Sequence, residues 1–129
     1  MNKLYDFGEL GGRILIAAIF ILSGFSKIDG YAGTQGYMEA MGVPGALLPA
    51  VIATELGGGL LIVLGLWTRL AALALAGFSL LAALLFHSNL GDQMQMILFM
   101  KNLAIAGGFL FLVAHGAGAW SLDARRAHA

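Results

Sequence analysis

Residues 47–67 read LLPAVIATELGGGLLIVLGLW, and residues 70–86 read LAALALAGFSLLAALLF. A helix needs about 20 mostly apolar residues to cross a bilayer, and each run comes close to that length. Thr68 and Arg69 alone separate the two runs. A connection this short predicts that the runs form an antiparallel pair of membrane-spanning helices.

Two further apolar blocks flank this hairpin. The chain is therefore predicted to hold four spans, at approximately 13–28, 47–67, 70–87 and 96–115, within a single domain covering residues 1–129. The first block resembles the apolar part of a signal peptide, but three more spans follow it, so we expect it to be retained as a helix. The stretch from Gly30 to Pro49 is rich in glycine and is expected to be a linker near the membrane interface. The predicted fold is all-α, an integral membrane four-helix bundle.

Composition excludes several classes of function. Hydrophobic residues make up 60% of the chain and charged residues 11%, whereas soluble domains carry about 25% charged residues. The formal net charge is zero and basic runs are lacking, so nucleic acid is not an expected partner. Because the chain has no cysteine, it cannot form disulfides or thiolate metal sites, and cannot carry out dithiol exchange.

The basic residues are distributed unequally between the two sides of the predicted bundle. One side holds Lys3, Arg13, Arg69, Arg125 and Arg126, and the other holds Lys27 and Lys101. Positive charge favours the cytoplasmic side, so both termini are predicted to be cytoplasmic. Arg13 and Arg69 are expected to anchor the bundle by reaching lipid headgroups.

Polar side chains recur at similar depth in the four spans. Counted at about 1.5 Å per residue from the basic side, they lie roughly 18 to 26 Å up their helices. They are Lys27, Glu55, His87 and Lys101, with Asn102 beside the last. An ionised group at the bilayer centre costs roughly 2.5 to 3.5 kcal/mol or more unless it is paired or faces a cavity. Glu55 is therefore expected to face Lys27, Lys101 or both.

Two interpretations of this cluster stay open. It is either an ion-pair staple that holds the helices in register, or a pocket that binds the head of a small lipophilic ligand. In the second case all five residues are candidate binding residues, and Glu55 and His87 are the candidates for handling protons.

No metal site is predicted. Methionine thioethers suit Cu(I), but packing explains them better. They are Met38, Met41, Met94, Met96 and Met100. His87 and His115 lie near opposite faces by the depth count, so they cannot ligate one haem.

The motifs along the chain, taken in order, resemble one family. They are Phe20, Ser23, Gly24, Ser26 and Lys27, then Gly42 and Pro44, Glu55 to Gly58, Gly65 with Thr68 and Arg69, Phe86 and His87, Lys101 to Ala104, Gly107 and Gly108, and Trp120 to Asp123. The chain is similar, over about residues 13–123, to the DoxX family of small four-helix prokaryotic inner-membrane proteins. The resemblance points to respiratory or sulfur-oxidising redox complexes that communicate with quinone, or to oxidative-stress complexes. A more distant resemblance to four-helix thiol-quinone oxidoreductases does not extend to their chemistry, since cysteine is lacking.

Three functions are compatible with these observations. The first is a quinone-associated subunit of a redox complex, in which electrons arrive from a redox protein partner because the chain encodes no electron carrier. If it is an enzyme, it is then an oxidoreductase subunit acting with that partner. The second is a small proton-coupled transporter built around Glu55. The third is a non-catalytic membrane anchor or assembly partner. In all three cases membrane lipid is expected to surround the protein.

Overall fold

A computed structural model describes residues 3–127, and this part of the chain is built from helices without strands. The elements are α1 (Lys3–Asp29), α2 (Tyr31–Ala40), a short 3-10 turn (Gly45–Leu47), α3 (Leu48–Leu64), α4 (Thr68–Phe86), α5 (Gln93–His115) and α6 (Leu122–Ala127). Four segments are long and apolar enough to cross a membrane: 3–29, 45–64, 68–86 and 93–115. The predicted all-α membrane fold is confirmed.

Two residues with left-handed backbone conformation form the turn between α3 and α4. Gly65 ends α3 at φ +67°, and Trp67 precedes α4 at φ +48°. Glycine adopts this conformation without steric penalty, whereas a side chain at Gly65 would also collide with Arg13. The connection predicted at Thr68 and Arg69 therefore lies slightly earlier, at residues 65–67, because the left-handed turn requires Gly65, and Thr68 and Arg69 begin α4.

The bundle is made of two closely packed helix pairs. α1 packs along α3, α4 packs along α5, and the hairpin joins α3 to α4. A cluster of buried apolar residues, which includes Ala17, Phe20, Ile62, Leu75 and Phe109, fills the space between the pairs. Many leucines on the outer faces are exposed, as expected for helices that contact lipid.

The stretch expected to be a linker contains a helix of its own. α2 includes Gly33 and Gly36, which are poor helix formers. Its packing compensates for them, since Met38 is buried and the Tyr37 ring stacks on the Phe86 ring with centroids 5.5 Å apart. α2 therefore lies beside the last turn of α4.

The bundle has two ends that carry different polar residues. The Arg13 end comprises Arg13, the loop of residues 65–67 and the segment from Trp120 to Asp123, because Arg13 bonds to the carbonyl of Trp120 and the Asp123 amide donates to the Gly65 carbonyl. The Lys27 end comprises Lys27, Glu55, α2 and the loop after α4. α6 thus returns the chain to the end at which α1 begins.

Candidate ligand-binding site

An ion pair between two spans anchors the Lys27 end. Lys27 Nζ lies 2.8 Å from Glu55 Oε1 and also donates a hydrogen bond to Ser23 Oγ one turn earlier in α1. The Glu55 side chain is 5% exposed and that of Lys27 is 26% exposed. The ammonium approaches Oε1 at ion-pair distance but outside hydrogen-bond geometry. Glu55 therefore has a charge partner on α1 and retains hydrogen-bonding capacity.

Beside this pair lies a cavity of about 440 Å³. Its walls are mostly apolar and include Phe20 on α1, Met38 on α2, Val51 on α3 and Phe78 on α4. All five residues singled out from the sequence also line it, namely Lys27, Glu55, His87, Lys101 and Asn102. A mostly apolar chamber of a few hundred Å³ with a few convergent polar groups is the usual form of a small-molecule site.

Asn102 and His87 are each oriented by a single contact. Asn102 Nδ2 donates to the Ser79 carbonyl at 3.2 Å and has a second N–H left for another acceptor. His87 Nδ1 lies 3.0 Å from Gln95 Oε1. Because a carboxamide oxygen only accepts, this contact assigns the proton to Nδ1 and leaves Nε2 as the acceptor in the neutral ring.

Lys101 differs from Lys27 in its surroundings. It lines the cavity from α5 but is exposed, and no ion pair of Lys101 is found among residues 3–127. Of the two cations predicted to face Glu55, Lys27 is therefore the one within ion-pair distance.

Several hydroxyl groups of this site were missed by the sequence analysis, and two of them stand out. Ser23 holds the Lys27 ammonium, and Ser79 lines the cavity with a buried Oγ that has no hydrogen-bond partner in the described chain. Helical spacing could have indicated Ser23, which precedes Lys27 by four positions and therefore shares its helix face.

The prediction that Arg13 reaches the lipid headgroups and anchors the bundle is wrong. Arg13 is 1% exposed and points into the protein, where its guanidinium donates to the carbonyls of Ile62, at 3.4 Å, and Trp120. The reason is the return of the chain after α5, which brings Trp120 over this end and offers backbone acceptors that a sequence-based depth count does not reveal. Arg69 remains exposed, as an anchoring residue requires.

Asp123 joins α6 to the start of α4. Its carboxylate accepts hydrogen bonds from the backbone N–H groups of Trp67 at 2.7 Å and Thr68 at 2.9 Å, at the N-terminus of α4. Burial opposes ionisation, but these donors and the nearby Arg126 hold the pKa of Asp123 below its usual value. Arg126 also lies over the Trp67 ring, 5.8 Å from the centroid. Asp123 acts here as a helix cap rather than as a ligand-binding group.

A broader, shallow depression lies at the Arg13 end, bordered by Arg69, His115 and Asp123. Asp123 is already engaged in capping α4, and among residues 3–127 no group of three or more histidine or acidic side chains could hold a metal ion. The cavity at the Lys27 end is therefore the stronger candidate.

Comparison of the sequence with known proteins places the chain in a family. The sequence model of the DoxX family matches residues 8–88, which run from α1 through α4. The chain belongs to the DoxX family. Within this DoxX protein, the matched region supplies Lys27, Glu55 and His87, whereas Lys101 and Asn102 on α5 lie beyond it.

Relatives cover nearly the whole DoxX chain. It is 58% identical to inner membrane protein YqjF of Escherichia coli over 95% of both chains, and 41% identical to inner membrane protein YphA of the same organism over 97% of this chain and 100% of YphA. It is 31% identical to a Bacillus subtilis protein named "Putative oxidoreductase CatD" over 83% of this chain and 84% of that one. No solved structure matches. The protein is accordingly a multi-pass inner-membrane protein.

Proposed function

We propose that this DoxX protein binds the polar head of a small lipophilic ligand, with quinone as the first candidate, and acts as a subunit of a membrane redox complex. The observation that carries the proposal is the convergence of Lys27, Glu55, His87, Lys101 and Asn102 on one largely apolar cavity. The oxidoreductase name of the relative CatD adds support at the level of the family.

The cavity offers the groups that a quinone head requires. The second N–H of Asn102 and the ammonium of Lys101 are donors for quinone oxygens, while Phe20 and Phe78 offer apolar walls for the ring. Nε2 of His87 is left to accept a proton from a ligand hydroxyl. Electrons would come from a protein partner, because the chain carries no thiol that could cycle between oxidation states.

The Lys27–Glu55 pair favours this function over proton-coupled transport. A transporter of this size needs a carboxylate that is free to exchange partners as substrate passes, whereas Glu55 is held 2.8 Å from the ammonium of Lys27. The pair instead supplies a fixed dipole in the cavity wall. We also propose that the Arg13 end faces the cytoplasm, since five of the seven basic residues belong to that side.

The direct test is quinone binding to the purified protein in lipid nanodiscs, measured by titration calorimetry with a decyl-substituted benzoquinone and corrected with protein-free nanodiscs. We expect Asn102→Leu and Glu55→Gln each to weaken binding by about tenfold, the effect of one hydrogen bond to a polar or charged group. Glu39→Gln is the matched control, because Glu39 is an exposed carboxylate at the same end and does not line the cavity.

The same samples separate binding from a purely structural cluster. If the protein binds no quinone, or if Glu55→Gln and Asn102→Leu leave the Kd unchanged while lowering thermal stability, the polar residues serve as a staple and the chain is an anchor or assembly partner.

A further inference from the structure

The charges around the cavity do not balance. Two ammonium groups line it, from Lys27 on α1 and Lys101 on α5, against the single carboxylate of Glu55 on α3. α2 contributes Thr34, Tyr37 and Met38 to the lining, and α4 contributes neutral side chains up to His87, so neither adds an acid. The remaining acidic residues of the chain, Asp6, Glu9, Asp29, Glu39, Asp92 and Asp123, do not line the cavity.

The one carboxylate is already engaged. Glu55 lies at 2.8 Å from Lys27, and Lys101 has no ion pair within residues 3–127. Lys101 follows Gln93 by eight positions, so it lies about 12 Å into α5 and within the span. A cation at such a position is costly unless it is paired, hydrated or faces a polar space. The cavity that Lys101 lines supplies polar groups of this kind, those of Glu55, His87 and Asn102, within otherwise apolar walls.

We infer that the cavity selects an anionic amphiphile, a lipophilic molecule whose head is an ionised carboxylate or phenolate, and that Lys101 is the residue that recognises its charge. The inference rests on the proposed binding function and narrows its ligand class. A bound anion would bring the two ammonium groups and the Glu55 carboxylate to charge balance. The apolar lining formed by residues such as Phe20, Val51 and Phe78 suits the hydrocarbon part.

The competing explanation is that Lys101 extends to the membrane surface. A long side chain can place its ammonium at the headgroups while its methylenes cover apolar surface. In that case Lys101 anchors α5, and the affinity of the cavity for a charged ligand does not depend on Lys101. The two explanations differ in what happens to ligand selectivity when Lys101 is replaced.

The experiment compares pairs of ligands that share the same hydrocarbon part, one with a head that ionises and one with a head that stays neutral. Protein in nanodiscs of zwitterionic phosphatidylcholine is titrated at neutral pH with dodecanoate and with dodecanol, and with a 2-hydroxy-3-alkyl-naphthoquinone, which ionises, and its 2-methoxy ether, which does not. We expect the ionised member of each pair to bind about tenfold more tightly, as a charge-assisted contact allows.

Three variants assign that preference. Lys101→Met is expected to bring the two members of each pair to within about twofold of each other, and Lys101→Arg to retain the preference because it keeps the charge. Lys3→Met is the matched control, since Lys3 is an exposed lysine of α1 that does not line the cavity. Lys101 is itself exposed, so its replacement is not expected to prevent folding.

The outcomes separate this inference from the proposed quinone function. Equal binding of both members, or a preference that survives in Lys101→Met, overturns the anion inference while a bound naphthoquinone still supports the proposed function. Binding of dodecanoate without either naphthoquinone supports the anion inference and overturns the quinone assignment. Adding phosphatidylglycerol identifies the source of the anion, because competition by this lipid supports a headgroup as the bound anion and lack of competition supports a free acid.

Discussion

The two ends of the bundle bury charge in different ways. At the Arg13 end, a guanidinium of a residue that is 1% exposed donates to the carbonyls of Ile62 and Trp120. At the Lys27 end, Lys27 pairs with Glu55 beside a cavity of about 440 Å³, and Lys101 lines the same cavity without an ion pair in the described chain. At the Arg13 end the buried cation is engaged by its own chain and the depressions are shallow, whereas at the Lys27 end the polar groups surround a more enclosed cavity.

This difference indicates different roles for residues of similar chemistry. Polar groups whose partners are backbone atoms of the same chain stabilise the fold, because their removal leaves buried acceptors unpaired. Polar groups around an unfilled cavity have capacity left for a ligand. Substitutions at the Arg13 end should therefore lower stability without changing ligand selectivity, and substitutions at the Lys27 end should mainly change binding.

The largest effect is expected for Arg13→Met. The variant removes a buried charged donor that links the carbonyls of Ile62 and Trp120, so we expect the free energy of unfolding to fall by about 3 kcal/mol. Unfolding in detergent, followed by circular dichroism, measures the change. Arg69→Met is the control, since Arg69 is exposed and its loss should change stability by about 0.5 kcal/mol or less. Equal effects of the two variants would show that Arg13 has no special structural role.

Gly65→Ala should follow, at about 2 kcal/mol. Gly65 has φ +67°, which costs an alanine roughly 1 to 2 kcal/mol. The added Cβ would also meet Arg13 and Ser121, which must then move.

Gly57→Ala is the matched control for Gly65→Ala, because Gly57 is helical and has nothing within 4 Å of its Cβ position. Alanine there should raise stability by about 0.5 to 1 kcal/mol. Thermal unfolding of the two variants should therefore shift in opposite directions, and a shared direction would contradict the role given to the turn at Gly65.

The sequence predicted the Lys27 end better than the Arg13 end, for a physical reason. Lys27 and Glu55 lie within regular helices, where depth follows from a constant rise per residue and the cost of an isolated charge requires a partner. Arg13 is satisfied by the carbonyl of Trp120, in an irregular segment after α5. The path of such a segment does not follow from hydropathy, so Arg13 was interpreted as a lipid anchor.

A similar limit applies to α2 and to Ser79. α2 forms despite two glycines because Met38 and Tyr37 pack against the bundle, and such tertiary contacts are not visible in local propensity. Ser79 is a single hydroxyl in an apolar helix, and its place in the cavity wall depends on the rotation of α4. Family resemblance identified the right architecture but carried no information about which hydroxyl groups face the cavity.

At the Lys27 end, a double-mutant cycle on Lys27 and Glu55 should give a smaller effect. Lys27→Met leaves a carboxylate that is 5% exposed without its cation, and because Lys27 itself is 26% exposed we expect a loss of about 1.5 kcal/mol, less than for a fully buried pair. Glu55→Gln should be milder, and the double variant should recover most of the loss because no unpaired charge remains. Thermal unfolding of all four proteins yields the coupling energy, and additive single effects would show that the pair does not stabilise the bundle.

The smallest effect is expected at Asp123, and it should depend on pH. Its folded pKa lies below the usual value because the N–H groups of Thr68 and Trp67 and the charge of Arg126 outweigh burial. A carboxyl with a lowered folded pKa stabilises the protein fully above its unfolded pKa of about 3.9, and this contribution disappears as pH falls through the folded pKa.

The contribution should be about 1 kcal/mol, the usual effect of a helix cap. Other carboxylates also titrate in this range, so the quantity to measure is the difference in unfolding free energy between the wild type and Asp123→Ala. That difference should be constant from neutral pH down to about pH 4 and should shrink only below it. A difference that already shrinks near neutral pH would mean that the Asp123 carboxyl is not held ionised by the start of α4. The Lys27 end would then be the part of the molecule whose charged groups are the better paired.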